Sequence, residues 1–303
     1  MKQNVLISGG TGLVGHELSK LLSSENFNVA LLSRRKQVKG YKSFYWDHEK
    51  GEIDSKAIDF ADIIVHLAGE NVSGKKWTKS QKKKIISSRV ETTALLRDAI
   101  QKTNKKPKAF ISASAVGYYG SSTSDHIYKE NDEPGKDFLA ETVVKWEASV
   151  NEIQQMGIPT AALRIGVVMT VKGGALPKIM KPVTMGVGSA LGNGKQWIPW
   201  ISVNDLVRMF LFVMQNTMDS KPGSKFEVYN AACPTHITNF QLSKELAKIF
   251  KKPFFMPAVP AFVIKMLFGE MATIVLNGSR VSSEKIQNAG FVFKDTQVED
   301  IFY

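Results

Sequence analysis

The stretch that most constrains this chain is its first, Asn4 to Gly15, which reads N-V-L-I-S-G-G-T-G-L-V-G. Asn4 to Ser8 is an apolar run of strand length, and Leu13 to Leu22 continues with apolar residues at helical spacing. Between them Gly9, Gly12 and Gly15 form a G-x-x-G-x-x-G pattern at a strand-to-helix turn. The first glycine permits a tight turn, the second lets the backbone approach a pyrophosphate, and the third lets helix and strand pack closely. A helix N-terminus behind such a turn presents free N–H groups and a partial positive charge to phosphates. Gly9, Thr11, Gly12, Leu13, Val14 and Gly15 are therefore expected to line a dinucleotide site.

With 303 residues, 43% of them hydrophobic and 22% charged, the chain can bury a full globular core. The single cysteine, Cys233, excludes an internal disulfide and a cysteine metal cluster, and its Cys–Pro setting reads as structural. No metal site is expected. The first strand begins almost at once, which leaves no room for a signal peptide. No apolar run reaches the roughly eighteen residues a membrane helix needs, because Pro257, Pro260 and Lys265 interrupt the best candidate. The net charge is +12, with lysines dense from Lys75 to Lys84 and from Lys102 to Lys108. Nucleic-acid binding would want aromatics interleaved with these lysines or a reading helix, and neither is present. A solvated basic surface, favourable to an anionic cofactor or substrate, is the expectation. The composition reads as cytoplasmic, with a small-molecule substrate and neither nucleic acid nor membrane as partner; monomer and homodimer both remain open.

A second buried strand, Asn28 to Ser33, runs straight into Arg34 and Arg35. An NAD site places an acidic residue about twenty positions past the glycines to hold the ribose 2′-hydroxyl. Here that place holds Ser33-Arg34-Arg35, with no carboxylate before Asp47. Two guanidinium groups suit a 2′-phosphate, so NADP(H) is favoured over NAD. Further strands are expected at Ser43–Trp46, Asp62–Leu67, Ala109–Ala113 and Pro159–Gly166, with long helices at Thr78–Lys102 and Lys136–Met156. His66 reads as a packed strand residue. Leu67, Ala68, Gly69 and Glu70 stand at the carboxyl end of a parallel strand, where open α/β sheets bind ligands. Strands alternating with helices specify an α/β doubly wound parallel sheet. Past Val168 glycines and prolines break the pattern. Residues 1–168 therefore read as the nucleotide-binding domain and 169–303 as a smaller substrate lobe, with some later segments returning to the first.

These residues resemble a known family. The glycine turn, the H-L-A-G after strand four, the serine-rich end of strand five and the L-R-I-G of strand six look like a Rossmann-type extended short-chain dehydrogenase/reductase. More narrowly, Leu67 to Asn71, Trp77-Thr78, Ser88 to Thr93, Lys145-Trp146-Glu147, Gln196 to Ile201 and Gly269-Glu270-Met271 resemble its atypical epimerase-family branch, with a C-terminal domain of unknown function. The resemblance covers essentially the whole chain. It implies a nicotinamide cofactor above the sheet, contacts from Arg89, Lys84 and Val168, and an oxidoreductase or epimerase of the nucleoside-diphosphate-sugar type. Ordinary members use a tyrosine, lowered in pKa by a lysine four residues later, as general acid/base beside a serine. The matching positions here are Leu139 and Val143, and neither can exchange a proton. Ser114 occupies the serine place, with Ser112 as a rival one register away. A phenol would have to come from Tyr118 or Tyr119, with Tyr119 preferred, and a base from Glu70 or Glu141. Without the dyad, a non-catalytic NADP(H)-binding or redox-sensing protein is the alternative. Arg164 reads either as a site residue or as a buried arginine pinning strand six, Asp205 as a first-turn carboxylate or cap. Trp197 and Trp200 either cover a pocket or fill the junction between lobes.

Overall fold

The structure, a computed structural model, describes residues 2–35 and 37–303. Eight strands form the central sheet: β1 (Asn4–Ser8), β2 (Asn28–Ser33), β3 (Lys42–Asp47), β4 (Glu52–Ile53), β5 (Ile63–His66), β6 (Ala109–Ala115), β7 (Thr160–Ile165) and β8 (Glu227–Ala231). Their spatial order is β8-β7-β6-β5-β1-β2-β3-β4, parallel throughout except for the antiparallel β3–β4 pair. Val5, Leu6 and Ile7, Ile63 and Ile64, and Phe110 and Ile111 are completely buried. That is the run of apolar residues expected of parallel strands covered on both faces.

The chain starts in the middle of the sheet, runs outward through β2 and β3, then returns to the other side of β1 with β5. Right-handed crossovers therefore place helices on opposite faces before and after the reversal. Helix α1 (Leu13–Ser24) packs with α4 (Val203–Met218), and α2 (Lys79–Gln101) packs with α3 (Phe138–Gln155). The reversal opens a crevice above the carboxyl ends of β1 and β5, where doubly wound folds take their ligands.

The buried face of α2 runs Gln81, Ile85, Ser88, Thr92, Leu96 and Ala99, a spacing of three and four that keeps one stripe against the sheet. Two segments beyond residue 168 belong to the sheet layer, namely β8 and α4. Ile286 and Phe291 also join the sheet's core, and much of the rest of that half packs around a second apolar cluster of Met169, Leu176, Val183, Trp200, Cys233, Leu242 and Leu246. Trp200 is thus a core residue of this smaller lobe. Cys233 lies in the same cluster, and burial pushes its thiol up to about 11, so it is inert at neutral pH.

Gly9 and Gly15 carry the close approaches on which the first turn depends. Gly9 has φ of +71°, and a Cβ there would lie 2.8 Å from the Leu67 carbonyl carbon. A Cβ on Gly15 would lie 2.3 Å from the Gly9 carbonyl oxygen and 2.7 Å from Gly10 Cα. These neighbours are backbone and cannot swing aside. Gly15→Ala should therefore lower stability by about 1–3 kcal/mol, as overpacking does, and should weaken nucleotide binding by displacing the turn. Denaturant unfolding together with a nucleotide titration would check both effects.

Candidate dinucleotide site

Of the helices α1 to α4, three are capped by a side chain. Thr78 accepts from Gln81 N at the start of α2, Asp137 from Ala140 N at α3, and Ser202 from Asp205 N at α4. Helix α1 is the exception: its N-cap is Gly12 and no side chain caps it. Its first N–H groups, at the sheet's reversal point, are left for an anion. Thr11 is exposed beside them. Leu13 turns away to contact the loop at Gly173 and Gly174, whose added Cβ atoms would lie 3.6 and 3.4 Å from it. Val14 packs against the sheet core. Val168 sits in a strand, Val167–Met169, paired with Trp200–Ser202, five and six residues before that loop.

At the end of β2, Ser33 is buried and its Oγ accepts from Arg35 N at 3.0 Å. Arg34 and Arg35 are exposed, and among the described residues neither has an acidic partner. The two guanidinium groups therefore stand free next to the glycine turn.

The opposite wall is the end of β5, locked to β1 by one hydroxyl. Ser8 Oγ accepts from Leu67 N and Ala68 N at 3.2 and 3.3 Å, so its proton goes to His66 Nδ1, 2.6 Å away. His66 Nε2 then donates to Thr92 Oγ1 at 3.2 Å, whose own proton goes to the Ser88 or Arg89 carbonyl. His66 is fully buried, and burial, reinforced by Arg89, holds its pKa down to about 3. It is a packed, neutral strand residue.

Beyond it, Glu70 N donates to Ser88 Oγ at 2.9 Å, and the Glu70 carbonyl accepts from Arg89 Nη2 at 3.1 Å. Gly69 leaves room for that guanidinium, since a Cβ there would lie 3.3 Å from Arg89 Cζ. Burial lowers Arg89 to about 10, which leaves it charged at neutral pH. Arg89, Gly69 and Glu70 are thus brought together, with the Glu70 carboxylate accepting from Gln81 Nε2 at 3.1 Å. Lys84 is exposed. Five residues turn a helix by about 140° beyond a full turn, so Lys84 points away from the Arg89 direction. Glu141 is exposed in the first turn of α3.

At the end of β6, Leu139 and Val143 face Gly117, where an added Cβ would lie 3.5 Å from Leu139 Cβ and 3.9 Å from Val143 Cγ2. The two positions that the resemblance assigns to the tyrosine and lysine therefore pack on the turn after β6, and they carry hydrocarbon. One turn further along the same face comes Glu147. Ser114, 3% exposed, donates to Glu147 Oε1 at 2.6 Å. Arg164 grips both carboxylate oxygens at 2.8 Å through Nε and Nη2, and its Nη1 donates to Tyr119 Oη at 3.0 Å. Tyr119 Oη donates to Asn230 Oδ1 at 2.7 Å, and Asn230 Nδ2 to the Ser282 carbonyl at 3.0 Å. Arg164 also stacks on Tyr118, with Cζ 3.4 Å from the ring centroid. Burial pushes the Tyr119 phenol up to about 12 against the lowering pull of Arg164. Burial alone would lower Arg164, but its pairing with Glu147 outweighs that and raises it.

Ser114 and Tyr119 thus belong to one satisfied network, and Arg164 pins β7 through it. Ser112, the rival, bonds the adjacent Ala113 carbonyl at 2.8 Å. The sequence reading assigned Glu147 no role. The available signal was its i+4 spacing from Val143, which placed a carboxylate on the inward stripe.

In the smaller lobe, Trp197 is half-buried under Arg280, whose Cζ lies 4.8 Å from its ring centroid and whose Nε donates to His236 Nδ1 at 2.7 Å. Asp205 is completely buried in the first turn of α4. It accepts from Lys294 N and Asp295 N at 2.9 to 3.1 Å and pairs with Arg208, tying the C-terminal segment to the sheet layer. Among the described residues no group of three or more His, Cys, Asp or Glu could hold a metal.

An open glycine turn at the reversal of a parallel sheet, flanked by an acid-free β2 end, defines a doubly wound α/β protein with a dinucleotide-type crevice. The chain belongs to the NAD dependent epimerase/dehydratase family, whose model matches residues 5–232, and a domain of unknown function (DUF1731) matches 259–302. It is 32% identical over 298 residues to the epimerase family protein YfhF of Bacillus subtilis, covering 98% of this chain and 95% of that protein. Among solved structures it is similar to the human epimerase family protein SDR39U1 (isoform 2) with NADPH. That match has a TM-score of 0.84 and 28% identity, and covers 99% of this chain and 97% of that one. A nucleoside-diphosphate sugar epimerase from Corynebacterium glutamicum matches with a TM-score of 0.76 and 28% identity, covering the whole of this chain and 57% of that one.

Two outcomes follow from the buried groups. His66 stays neutral in the folded protein to about pH 3, whereas the unfolded chain protonates it near pH 6.5. Stability is therefore undiminished by this group above that range and falls as pH drops from about 6.5 to about 3, on the order of 1 kcal/mol per pH unit. Unfolding free energies measured against pH should show this slope, and His66→Asn should remove it. Arg164→Met should cost about 3–5 kcal/mol by stranding Glu147, while the double variant with Glu147→Leu should recover part of the loss, as read by denaturant midpoints.

Proposed function

We propose that this chain binds NADP(H) in preference to NAD(H), as an oxidoreductase- or epimerase-type protein acting on a small carbonyl or hydroxyl compound. The observation that carries the reading is the pair Arg34–Arg35, free of acidic partners beside an uncapped α1. The residues fit the cofactor. The N–H groups at the start of α1 would take the pyrophosphate, Arg34 and Arg35 the 2′-phosphate through paired charged hydrogen bonds, and the Leu67–Glu70 loop the neighbouring ribose. The NADPH in the similar human structure supports the phosphorylated form. When bound, the nicotinamide supplies hydride chemistry. We assign substrate orientation at the end of β6 to Ser114; with its proton given to Glu147 Oε1, its oxygen would act as an acceptor.

A second reading is favoured by a specific observation: Leu139 and Val143 occupy the acid/base positions, and the hydroxyls of Ser114 and Tyr119 are committed inside the fold. Under it the protein binds NADP(H) and signals its redox state without turnover.

Fluorescence titration should show NADPH binding at least about tenfold tighter than NADH, and the double variant Arg34→Ala/Arg35→Ala should erase that preference. Equal affinity for the two nucleotides in the unaltered protein would sink the 2′-phosphate assignment. Bound NADPH mixed with a panel of small carbonyl compounds then separates the readings. Oxidation abolished by Ser114→Ala supports the enzyme, and persistence of NADPH across the panel supports the sensor.

A further inference from the structure

We propose that the segment 251–268 is a membrane-surface contact that recognises anionic lipid. From Leu246 to Gly269 the sequence reads L-A-K-I-F-K-K-P-F-F-M-P-A-V-P-A-F-V-I-K-M-L-F-G, with four lysines and no carboxylate. The prolines at 253, 257 and 260 deny it a spanning helix, and no helix among the described residues is long and apolar enough to cross a membrane. The structure instead lays the segment along the surface, as an irregular stretch to Pro260 followed by a helix, Ala261–Phe268.

The backbone is well anchored. Val259 N donates to the Ala190 carbonyl and its own carbonyl accepts from Gly192 N, both at 2.9 Å. Just past the helix, Glu270 pairs with Lys82 on α2. Within the helix only Ile264 is buried. Four large side chains of the segment point outward: Phe255 is 74% exposed, Phe262 70%, Met266 72% and Leu267 55%. Met185 and Val187 extend the apolar surface, since Gly186 between them lies against Pro253. Scattered apolar residues on a surface need no partner, but a contiguous run of this kind does.

The charges select the occupant. Lys251, Lys252 and Lys265 are exposed among these side chains, as are Lys178 and Lys181 on the adjoining helix Leu176–Thr184. Among the described residues none of the five forms an ion pair. A second copy docked on the same patch would bring these lysines face to face, which an isologous interface makes unfavourable. An anionic bilayer takes both features at once, with Phe, Met and Leu entering the acyl boundary and lysines meeting the headgroups.

The test is flotation of the full chain with vesicles of phosphatidylcholine alone or mixed with phosphatidylglycerol. The protein should float with the anionic vesicles, not with the neutral ones, and less so as salt rises. Lys251→Glu/Lys252→Glu/Lys265→Glu should weaken partitioning about a hundredfold, and Phe262→Ser/Met266→Ser should abolish it. Both variants alter exposed side chains and should keep the parent's NADPH affinity and thermal midpoint. If the serine variant misfolds, the lysine variant alone decides. Failure to float with anionic vesicles, or flotation unaltered by the lysine variant, overturns the proposal. So does a solution dimer that the serine variant converts to monomer, because a second copy would then be what covers the patch.

Discussion

Burying Glu147 and Arg164 together is the commitment around which the upper half of this molecule is arranged. Two charges removed from water are tolerated only when every donor and acceptor between them is met. The pair meets that demand by recruiting neighbours from four separate parts of the chain. Ser114 comes from β6, Tyr119 from the turn after it, the Glu130 carbonyl from the following loop and, through Tyr119, Asn230 from β8. Asn230 N in turn donates to Glu130 Oε1 at 2.8 Å. The loop over the sheet is thereby fixed to the strand that closes the sheet's edge. A chain segment some sixty residues past the apparent end of the nucleotide domain is needed to satisfy an ion pair inside it, roughly as domain-sized cores require of any polar interior. Asn230 lies beyond residue 168, so the network ties the second half of the chain to the sheet.

The same pair explains what has happened to the face of α3. Positions 139, 143 and 147 lie on one stripe, and a stripe of that kind ordinarily has to place a phenol and an ammonium beside a serine. Here that stripe carries Leu139, Val143 and, one turn further, the carboxylate of Glu147, which accepts from Ser114. An ammonium at 143 would compete with Arg164 for that carboxylate, and a phenol at 139 would compete with Ser114. Leu139 and Val143 remove the competition and pack on Gly117 instead.

Much of this was legible in the sequence, for a physical reason. A parallel sheet buried on both faces writes its strands as unbroken apolar runs, so β1, β2, β5, β6 and β7 stand out without any contact information. The glycine turn is equally visible, because Gly15 has only one permissible size at 2.3 Å from a carbonyl oxygen. The free Arg34–Arg35 pair showed itself as a missing acid. What stayed hidden was pairing across long distance. Nothing local connects Glu147 to Arg164, or Tyr119 to Asn230, 111 residues apart. Lys84 shows the converse. It lies close to Arg89 in sequence, but helical rotation carries the two apart.

Charge gives the surface a consistent logic. Among the described cations without an ion pair are Arg34 and Arg35 beside an uncapped helix and Lys251, Lys252 and Lys265 among exposed apolar side chains. At the first, planar guanidinium groups suit a phosphate that must be gripped in one orientation. At the second, lysines on flexible stems suit a surface of headgroups with no fixed geometry. The excess of twelve positive charges is thus not spread evenly in kind. On the two proposals, arginine would serve where direction matters and lysine where only sign does.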